Sequence, residues 1–146
     1  MDTFLNRVAN PFMMAMLRSP LHGMFDKGLI LLTYTGRKSG KQFAVPVNYL
    51  RDGDVLLTVT FQARTWWRNL RGGAPVTVCL EGREARAYAE ALTEPAAVAE
   101  GLAACVRADA RRAALYGVKL GADGRPDPEG LRRAAETRVV VRTWLT

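Results

Sequence analysis

The residues with the clearest potential for chemistry form a short basic turn between two apolar runs. Its six residues are Gly36, Arg37, Lys38, Ser39, Gly40 and Lys41. Glycine readily adopts the positive φ angles at which successive backbone N–H groups converge on an anion, and the three cations add charge at the same place. The turn is therefore a candidate phosphate site, with a merely solvated basic turn as the alternative. It is not a Walker A loop, because only three residues separate the glycines and a strand follows.

A second candidate segment combines aromatic and basic side chains. Trp66 and Trp67 are adjacent, and Arg64, Arg68 and Arg71 are spaced to share one face of a helix. Because neighbouring residues of a helix point in different directions, we expect one indole in the core and the other at a cleft or a partner surface. Stacking on nucleic-acid bases is the alternative. No RNP-like or helix-turn-helix pattern accompanies the segment, so nucleic acid is not an expected partner.

Side chains elsewhere offer no reaction of their own. His22 is the only histidine, and Cys79 and Cys105 lack metal-ligand spacing. The acidic residues do not form a pair, and no nucleophile is grouped with the histidine. We therefore expect no metal site and two buried, reduced thiols, and we assign no catalytic residue. If the protein is an enzyme, a bound cofactor carries the hard step.

Runs of apolar, β-branched and aromatic residues predict six strands, over residues 29–35, 43–50, 55–61, 76–80, 83–91 and 138–145. Asp52-Gly53 and Glu81-Gly82 fall between neighbouring strands and indicate hairpins. Parallel strands would need helices between the early strands, and the sequence has none there. The pattern favours an α+β domain built on a small closed or nearly closed antiparallel barrel.

Four helical segments are expected around this barrel. Residues 4–18 form an amphipathic pattern within an N-terminal helical segment, 1–25, and Thr65 can cap a short helix over 66–70. A helix begins at Pro95 and includes among its apolar members Val98, Leu102, Cys105, Val106 and Leu115; a brief helix near Leu131 precedes the closing strand. The whole chain, 1–146, is expected to be one domain.

The net charge and the hydropathy of the sequence limit the expected location of the protein. Its net charge is +7, and arginine supplies most of the cations, which suits an anionic ligand or surface but also fits a GC-rich genome. No apolar stretch approaches the roughly 20 residues of a membrane span, and the first residues do not resemble a secretory signal. A cytoplasmic location follows as the expectation. Residues 4–18 either pack on the barrel or rest peripherally on the inner face of the membrane.

Several of these features together resemble the deazaflavin-dependent nitroreductase family of actinobacterial split-barrel oxidoreductases. They are the stretch Thr35 to Gly40, Pro46, Tyr49, the turn Arg51 to Asp54 and the stretch Trp66 to Leu70. The resemblance implies a split antiparallel β-barrel that holds coenzyme F-420, an 8-hydroxy-5-deazaflavin, in preference to FMN. It also implies an oxidoreductase that transfers hydride from the reduced deazaflavin to a nitro, quinone or enone acceptor.

The resemblance also assigns cofactor-binding residues by position. The phosphate and acidic tail would lie at the basic turn, with its glycines Gly36 and Gly40 and its side chains Arg37, Lys38, Ser39 and Lys41. The ring would be lined by Pro46, Asn48, Thr58, Val59 and Thr60, and the pocket braced by Trp67 and Asn69.

One departure from the family pattern leaves an alternative open. Many members carry a longer, glycine-containing loop after the third predicted strand, whereas this chain has only Phe61 to Arg64, and Phe61 could occupy the space. The short form resembles a branch of the family suspected of binding fatty acids. A fatty-acid or lipid binding protein of the same fold is therefore the alternative to the enzyme. A homodimer also stays open, because split barrels often pair through exposed sheet faces.

Overall fold

The structure is a computed structural model of the chain, and it describes residues 29–80 and 82–145. The predicted N-terminal segment 1–25, the helix over 4–18 and His22 lie outside the described residues. Within the described residues, no helix is both long enough and apolar enough to cross a bilayer.

Seven strands form one sheet. They are β1 (Leu29–Thr35), β2 (Gln42–Asn48), β3 (Leu50–Asp52), β4 (Val55–Phe61), β5 (Ala74–Leu80), β6 (Arg83–Leu92) and β7 (Arg138–Leu145). Their order is β2-β1-β5-β6-β7-β4-β3, and each neighbouring pair is antiparallel. This confirms the predicted α+β class and the antiparallel sheet. The count of six strands is wrong by one, because the predicted strand over 43–50 breaks at Tyr49 into β2 and β3.

The break at Tyr49 is where the sheet turns back on itself. β2 pairs with β1 and β3 pairs with β4, although β2 and β3 are consecutive pieces of one extended segment at opposite ends of the sheet order. The two ends of the sheet therefore meet at this corner, where the Thr58 hydroxyl donates a 2.8 Å hydrogen bond to the Asn48 carbonyl. β2 and β4 form no ladder with each other, so the barrel is split between them.

The barrel interior is filled by alternate residues of the strands. On β7, Val139 and Val141 point inward and Val140 points to the opposite face, as the two-residue period of a strand requires. On β4, Leu56 and Leu57 divide in the same way. The inner core consists of Ile30, Leu32, Val47, Leu56, Trp67, Leu70, Val76, Val78, Ala87, Ala89, Ala91, Val139 and Val141.

Three α-helices cover the outer face of β4 and β7. They are α1 (Pro95–Ala108), α2 (Arg112–Leu115) and α3 (Pro128–Ala135). A 3-10 helix, Trp66–Leu70, lies between β4 and β5. This confirms the short helix that the sequence predicted over residues 66–70. The second core joins these helices to the sheet through Leu57, Val98, Leu102, Cys105, Val106, Ala113, Tyr116, Val118, Leu131, Ala134, Ala135 and Val140.

The prediction that Leu115 is an apolar member of the helix from Pro95 is wrong. α1 ends at Ala108, and Leu115 lies in the separate helix α2 with 69% of its surface exposed. Asp109 causes the interruption, because its carboxylate accepts from the Arg111 backbone N–H at 3.1 Å and pairs with the Arg111 guanidinium at 3.0 Å. An aspartate that bonds the backbone two residues ahead favours a turn over a continuing helix.

Cys105 and Tyr116 lie together in the second core. Cys79 and Cys105 are both buried and are not joined in a disulfide, as the sequence predicted. Burial, with a smaller contribution from the neighbouring Cys105, raises the pKa of Tyr116 to about 12 although Arg112 opposes the shift. Burial also raises the pKa of the Cys105 thiol. Both groups therefore stay protonated in the folded protein at neutral pH.

This burial predicts a loss of stability at alkaline pH. An unfolded tyrosine ionises near pH 10.0 and the folded Tyr116 near 12, so the unfolded state releases its proton first as the pH rises. As the pH rises from 10.0 to about 12, the free energy of unfolding should therefore decrease by up to about 3 kcal/mol. Urea denaturation at stepped pH measures the fall. Tyr116→Phe should lessen it, whereas Tyr88→Phe, at a half-exposed position, should not; equal falls in both variants would contradict the assignment.

Candidate functional site

The split between β2 and β4 opens a cleft of about 450 Å³. One wall comes from the start of β1 and from β2, through Leu29, Val45, Pro46, Val47 and Asn48. The other wall comes from β4 and the segment after it, through Thr58, Val59, Thr60, Phe61, Arg64 and Trp66. The cleft therefore arises where the two ends of the sheet approach without pairing.

Both strands that flank the cleft present an unpaired edge to it. β2 ends the sheet order and pairs only with β1 among the described strands. β4 pairs with β7 along its length, but with β3 only over Val55, Leu56 and Leu57. The backbone N–H and C=O groups of the free edges are available to a ligand. A flat molecule with a polar rim could bond to both edges at once.

The structure brings the five predicted ring-lining residues into one cleft. Pro46 and Asn48 lie in one wall, and Thr58, Val59 and Thr60 lie in the other. Proline is tolerated in a sheet mainly at an edge strand, which is the position of β2. That a cofactor ring binds these residues stays a prediction.

The two adjacent tryptophans separate as expected. Trp67 is 4% exposed in the inner core, whereas Trp66 lies in the cleft wall. The guanidinium groups of Arg68 and Arg71 lie 5.7 and 5.0 Å from the Trp67 ring centroid, so both are close to the same indole. The helix face predicted for Arg64, Arg68 and Arg71 is wrong for Arg64, because the 3-10 helix begins only at Trp66 and Arg64 lies in the cleft wall.

Most backbone N–H groups of the basic turn are already hydrogen-bonded. Gly36 donates to the Lys41 carbonyl and Gly40 donates to the Gly36 carbonyl, both at 2.8 Å. Arg37 donates to the Asn69 side chain at 3.0 Å, and Lys41 donates to the Ser39 hydroxyl at 3.2 Å. Among the described residues, the N–H groups of Lys38 and Ser39 have no such partner. The converging set of amides expected from the glycines is thus reduced to two.

The two glycines of the turn serve different purposes. Gly40 has a φ of 70°, in the left-handed region that the phosphate hypothesis expected. Gly36 does not have a positive φ; a Cβ atom there would lie 2.8 Å from the Phe43 ring. Gly36 therefore leaves room for an aromatic side chain.

Asn69 and Arg37 fasten the basic turn to the 3-10 helix. The Asn69 side chain accepts from the Arg37 backbone N–H at 3.0 Å and donates to the Trp66 carbonyl at 3.0 Å. The Arg37 guanidinium donates to the Arg71 carbonyl. Asn69 was expected to brace the pocket. Its two hydrogen bonds join the basic turn to Trp66, which lies in the cleft wall.

The basic turn lies beside the cleft rather than in it. Its residues are not among those that line the cleft, and Lys38, Ser39 and Lys41 are exposed. Lys41 precedes the first cleft residue of β2, Val45, by four positions, which is about 13 Å along a strand. A ligand that occupies both places needs an extended tail of that order.

A row of aromatic rings connects the turn to the cleft. The Tyr34 ring centroid lies 5.7 Å from that of Phe43, near the turn, and 6.4 Å from that of Trp66, in the cleft wall. Burial raises the pKa of Tyr34, so its hydroxyl stays neutral at physiological pH. The three rings between the basic turn and the cleft therefore carry no charge at physiological pH.

Sequence reasoning missed four cleft residues, Leu29, Val45, Val47 and Arg64, and it left open which of the two indoles lines the cleft. The positions of Val45 and Val47 beside the predicted Pro46 and Asn48 were the available signal. Arg64 had no signal beyond its place just after a strand. Among the described residues, no three His, Cys, Asp or Glu side chains are grouped so that they could hold a metal ion.

The hydrogen bonds of Asn69 predict that Asn69→Ala loosens the basic turn. The variant loses one acceptor and one donor, each worth about 1 kcal/mol of stability. Hydrogen exchange followed by NMR should show faster exchange of the Arg37 amide, with a fall of about 1 to 2 kcal/mol in the free energy of unfolding. Gln62→Ala, at an exposed position of another turn, is the control. Unchanged protection of the Arg37 amide would contradict the role of Asn69.

Comparison with solved structures places the fold among known ones. A chain described as an F420-H2-dependent reductase (FDR-A) has 18% identity and a TM-score of 0.50, covering 80% of this chain and 95% of that one. A putative pyridoxamine 5'-phosphate oxidase from Listeria innocua has 12% identity and a TM-score of 0.51, covering 86% and 90%. A chain described as a domain-swapped dimer has 16% identity and a TM-score of 0.51, covering 94% and 97%. At these identities the likeness shows the fold alone.

Comparison with curated proteins finds no significant match. Comparison with family models matches residues 13–121, most of the chain, to the family described as F420H(2)-dependent quinone reductase. The match includes the basic turn, both walls of the cleft and the 3-10 helix. The chain belongs to the F420H(2)-dependent quinone reductase family.

Proposed function

We propose that the protein is a deazaflavin-dependent oxidoreductase, with coenzyme F-420 as its cofactor and a small quinone, nitro or enone compound as its acceptor. One observation carries the proposal: a chain of this family has a cleft between two unpaired strand edges. Among the three acceptor classes, the family description favours quinones.

The residues of the cleft fit a flat heterocycle. Its walls combine apolar side chains, such as Val45 and Trp66, with the free backbone edges of β2 and β4. Apolar walls with a few fixed polar groups are typical of cofactor sites. The backbone edges would bond the polar rim of the ring, and the side chains would cover its faces.

The basic turn suits an anionic tail through its side chains more than through its amides. Lys38 and Lys41 are exposed, and neither has an ion-pair partner among the described residues. The Arg37 guanidinium is instead committed to the Arg71 carbonyl, so it positions the turn. The two lysines and the free amides of Lys38 and Ser39 would therefore hold the phosphate and acidic tail.

The protein would contribute orientation and electrostatics. Bound in the cleft, the reduced deazaflavin supplies hydride, which is a chemistry that no side chain of the cleft offers. Thr58 stabilises the corner through its bond to the Asn48 carbonyl, which holds β2 and β4 together at one end of the cleft. Such preorganisation brings the two reacting molecules together without an entropic cost at the moment of reaction.

The direct experiment is titration of the protein with oxidised F-420, followed by quenching of the cofactor's fluorescence. Saturable binding, and then oxidation of the reduced cofactor on addition of a quinone, is the expected result. Absence of saturable binding up to high micromolar concentrations would overturn the proposed function.

The exposed lysines predict a salt-dependent contribution to cofactor binding. Changing both Lys38 and Lys41 to alanine should weaken F-420 affinity by about tenfold at low ionic strength, and by less at high salt, because exposed charge pairs contribute little and are screened. Isothermal titration calorimetry measures the affinity. Lys119→Ala, which removes an exposed lysine from the loop before α3, is the control. Equal F-420 affinities for the double variant and the control would show that the tail does not bind at this turn.

The described residues give no support to the membrane and fatty-acid alternatives. The membrane contact rests on residues 4–18, which lie outside the described residues, and no described contact favours a fatty acid over a heterocycle. A homodimer stays a prediction, because the similar chain described as a domain-swapped dimer shows only the fold.

A further inference from the structure

We propose that the turn Phe61 to Arg64, at the edge of the cleft, binds the electron acceptor. The Phe61 ring would supply a flat apolar face, and the Arg64 guanidinium would supply a cation for an oxygen that becomes negative when the acceptor is reduced. The inference rests on the proposed function and adds to it the residues that select the acceptor.

A backbone hydrogen bond holds the two side chains at the same place. The Arg64 N–H donates to the Phe61 carbonyl at 3.0 Å, which closes a four-residue turn. Such a turn brings its first and last Cα atoms within about 7 Å. Both side chains line the cleft, and both are exposed, Phe61 by 51%. An incoming molecule therefore meets an aromatic ring and a guanidinium together.

Contacts with the residues just after α3 hold the turn Phe61 to Arg64 in place. The Gln62 N–H donates to the Thr137 carbonyl at 2.9 Å, just after α3. The Arg138 guanidinium lies 5.0 Å from the Phe61 ring centroid and donates to the Ala134 carbonyl at 3.3 Å. These contacts hold the ring of Phe61 in place although half of its surface is exposed, so binding an acceptor costs little ordering of the turn.

Arg64 differs from the nearby arginines because its charge is uncommitted. Among the described residues, its guanidinium has no hydrogen-bond or ion-pair partner. Arg37 and Arg138 donate to carbonyl groups, and Arg142 pairs with Glu90 at 3.1 Å. Of the described residues that line the cleft, Arg64 alone carries a charge. A guanidinium beside apolar walls attracts an anionic oxygen more strongly than one in bulk water does.

This charge suits the reduction of a quinone. A quinone takes up hydride, which carries two electrons, on one carbonyl oxygen, and its ring becomes aromatic as the second oxygen becomes a phenolate. The reduced deazaflavin is oxidised in the same step, and a proton from solvent then converts the phenolate to the second hydroxyl of the diol. Arg64 would pair with the phenolate while it exists. Phe61 would contact the face of the aromatic ring.

Binding of two oxidised ligands, without any cofactor, tests the role of Arg64 directly. The anionic probe is 2-hydroxy-1,4-naphthoquinone, which is ionised at neutral pH, and the neutral probe is 1,4-naphthoquinone. Tryptophan fluorescence reports binding, because Trp66 lies in the cleft wall. The wild type should bind the anion more tightly. Arg64→Met should weaken binding of the anion by about fivefold, which is the scale of an exposed charge pair. The same variant should leave binding of the neutral quinone unchanged.

Two further variants separate charge from shape. Arg64→Lys should keep part of the preference for the anion, because it keeps the charge but not the planar donors. Arg83→Met, which removes an exposed arginine at the start of β6, should leave both affinities unchanged. An anion preference that survives in Arg64→Met would overturn the inference.

Kinetics then distinguish this inference from the proposed function. With reduced F-420 and a quinone, Arg64→Met should lower kcat/KM for the acceptor and leave the dissociation constant of F-420 unchanged. If Arg64→Met weakens F-420 binding and keeps the anion preference, Arg64 belongs to the cofactor and the inference fails while the proposed function stands. If the wild type binds no F-420, the proposed function fails, and the naphthoquinone titrations still report on Arg64.

Discussion

The extended segment that contains β2 and β3 belongs to both ends of the same sheet, and the cleft follows from this constraint. β2 is bound to β1 and β3 is bound to β4, so the segment pulls the two ends together at Tyr49. The pairing with β1 ends at Asn48, and the pairing with β4 begins at Leu50. The strands therefore meet at one corner and diverge from it, and the gap between them is the cleft.

The position of the cleft wall depends on β7. Its three consecutive valines are fully buried, two in the barrel and Val140 beneath α1, so the strand joins the two cores. β4 pairs with β7 along its whole length, which fixes Thr58, Val59 and Thr60 relative to both cores. Gly101 of α1 contributes to the same contact, because a Cβ atom there would lie 3.0 Å from the Val140 side chain. The helices thus hold one wall of the site, although none of their residues line it.

Strand positions and the antiparallel class could be predicted from the sequence because they depend on local patterns. The runs of apolar, β-branched and aromatic residues and the turn dipeptide Asp52-Gly53 are each recognisable within a few residues. The break at Tyr49 was not predicted, since nothing near it differs from a continuing strand and the cause is pairing with β1 and β4. Leu115 was misplaced for the opposite reason: its apolar side chain was given more weight than the local signal of Asp109, whose side chain ends the helix.

Charges were harder to predict than strands, because the role of a cation depends on the carbonyl groups around it. Sequence alone groups Arg64 with Arg68 and Arg71, but the structure places the latter two on the Trp67 ring and Arg64 in the cleft. In the same way, the glycine-rich turn suggested a set of free amides, and the fold uses most of them internally. An anion near the cleft or the basic turn would therefore be bound mainly by cationic side chains that do not already donate to a backbone carbonyl. Because such cations are exposed, their contribution should depend on ionic strength, whereas the shape of the cleft, set by backbone pairing, should not.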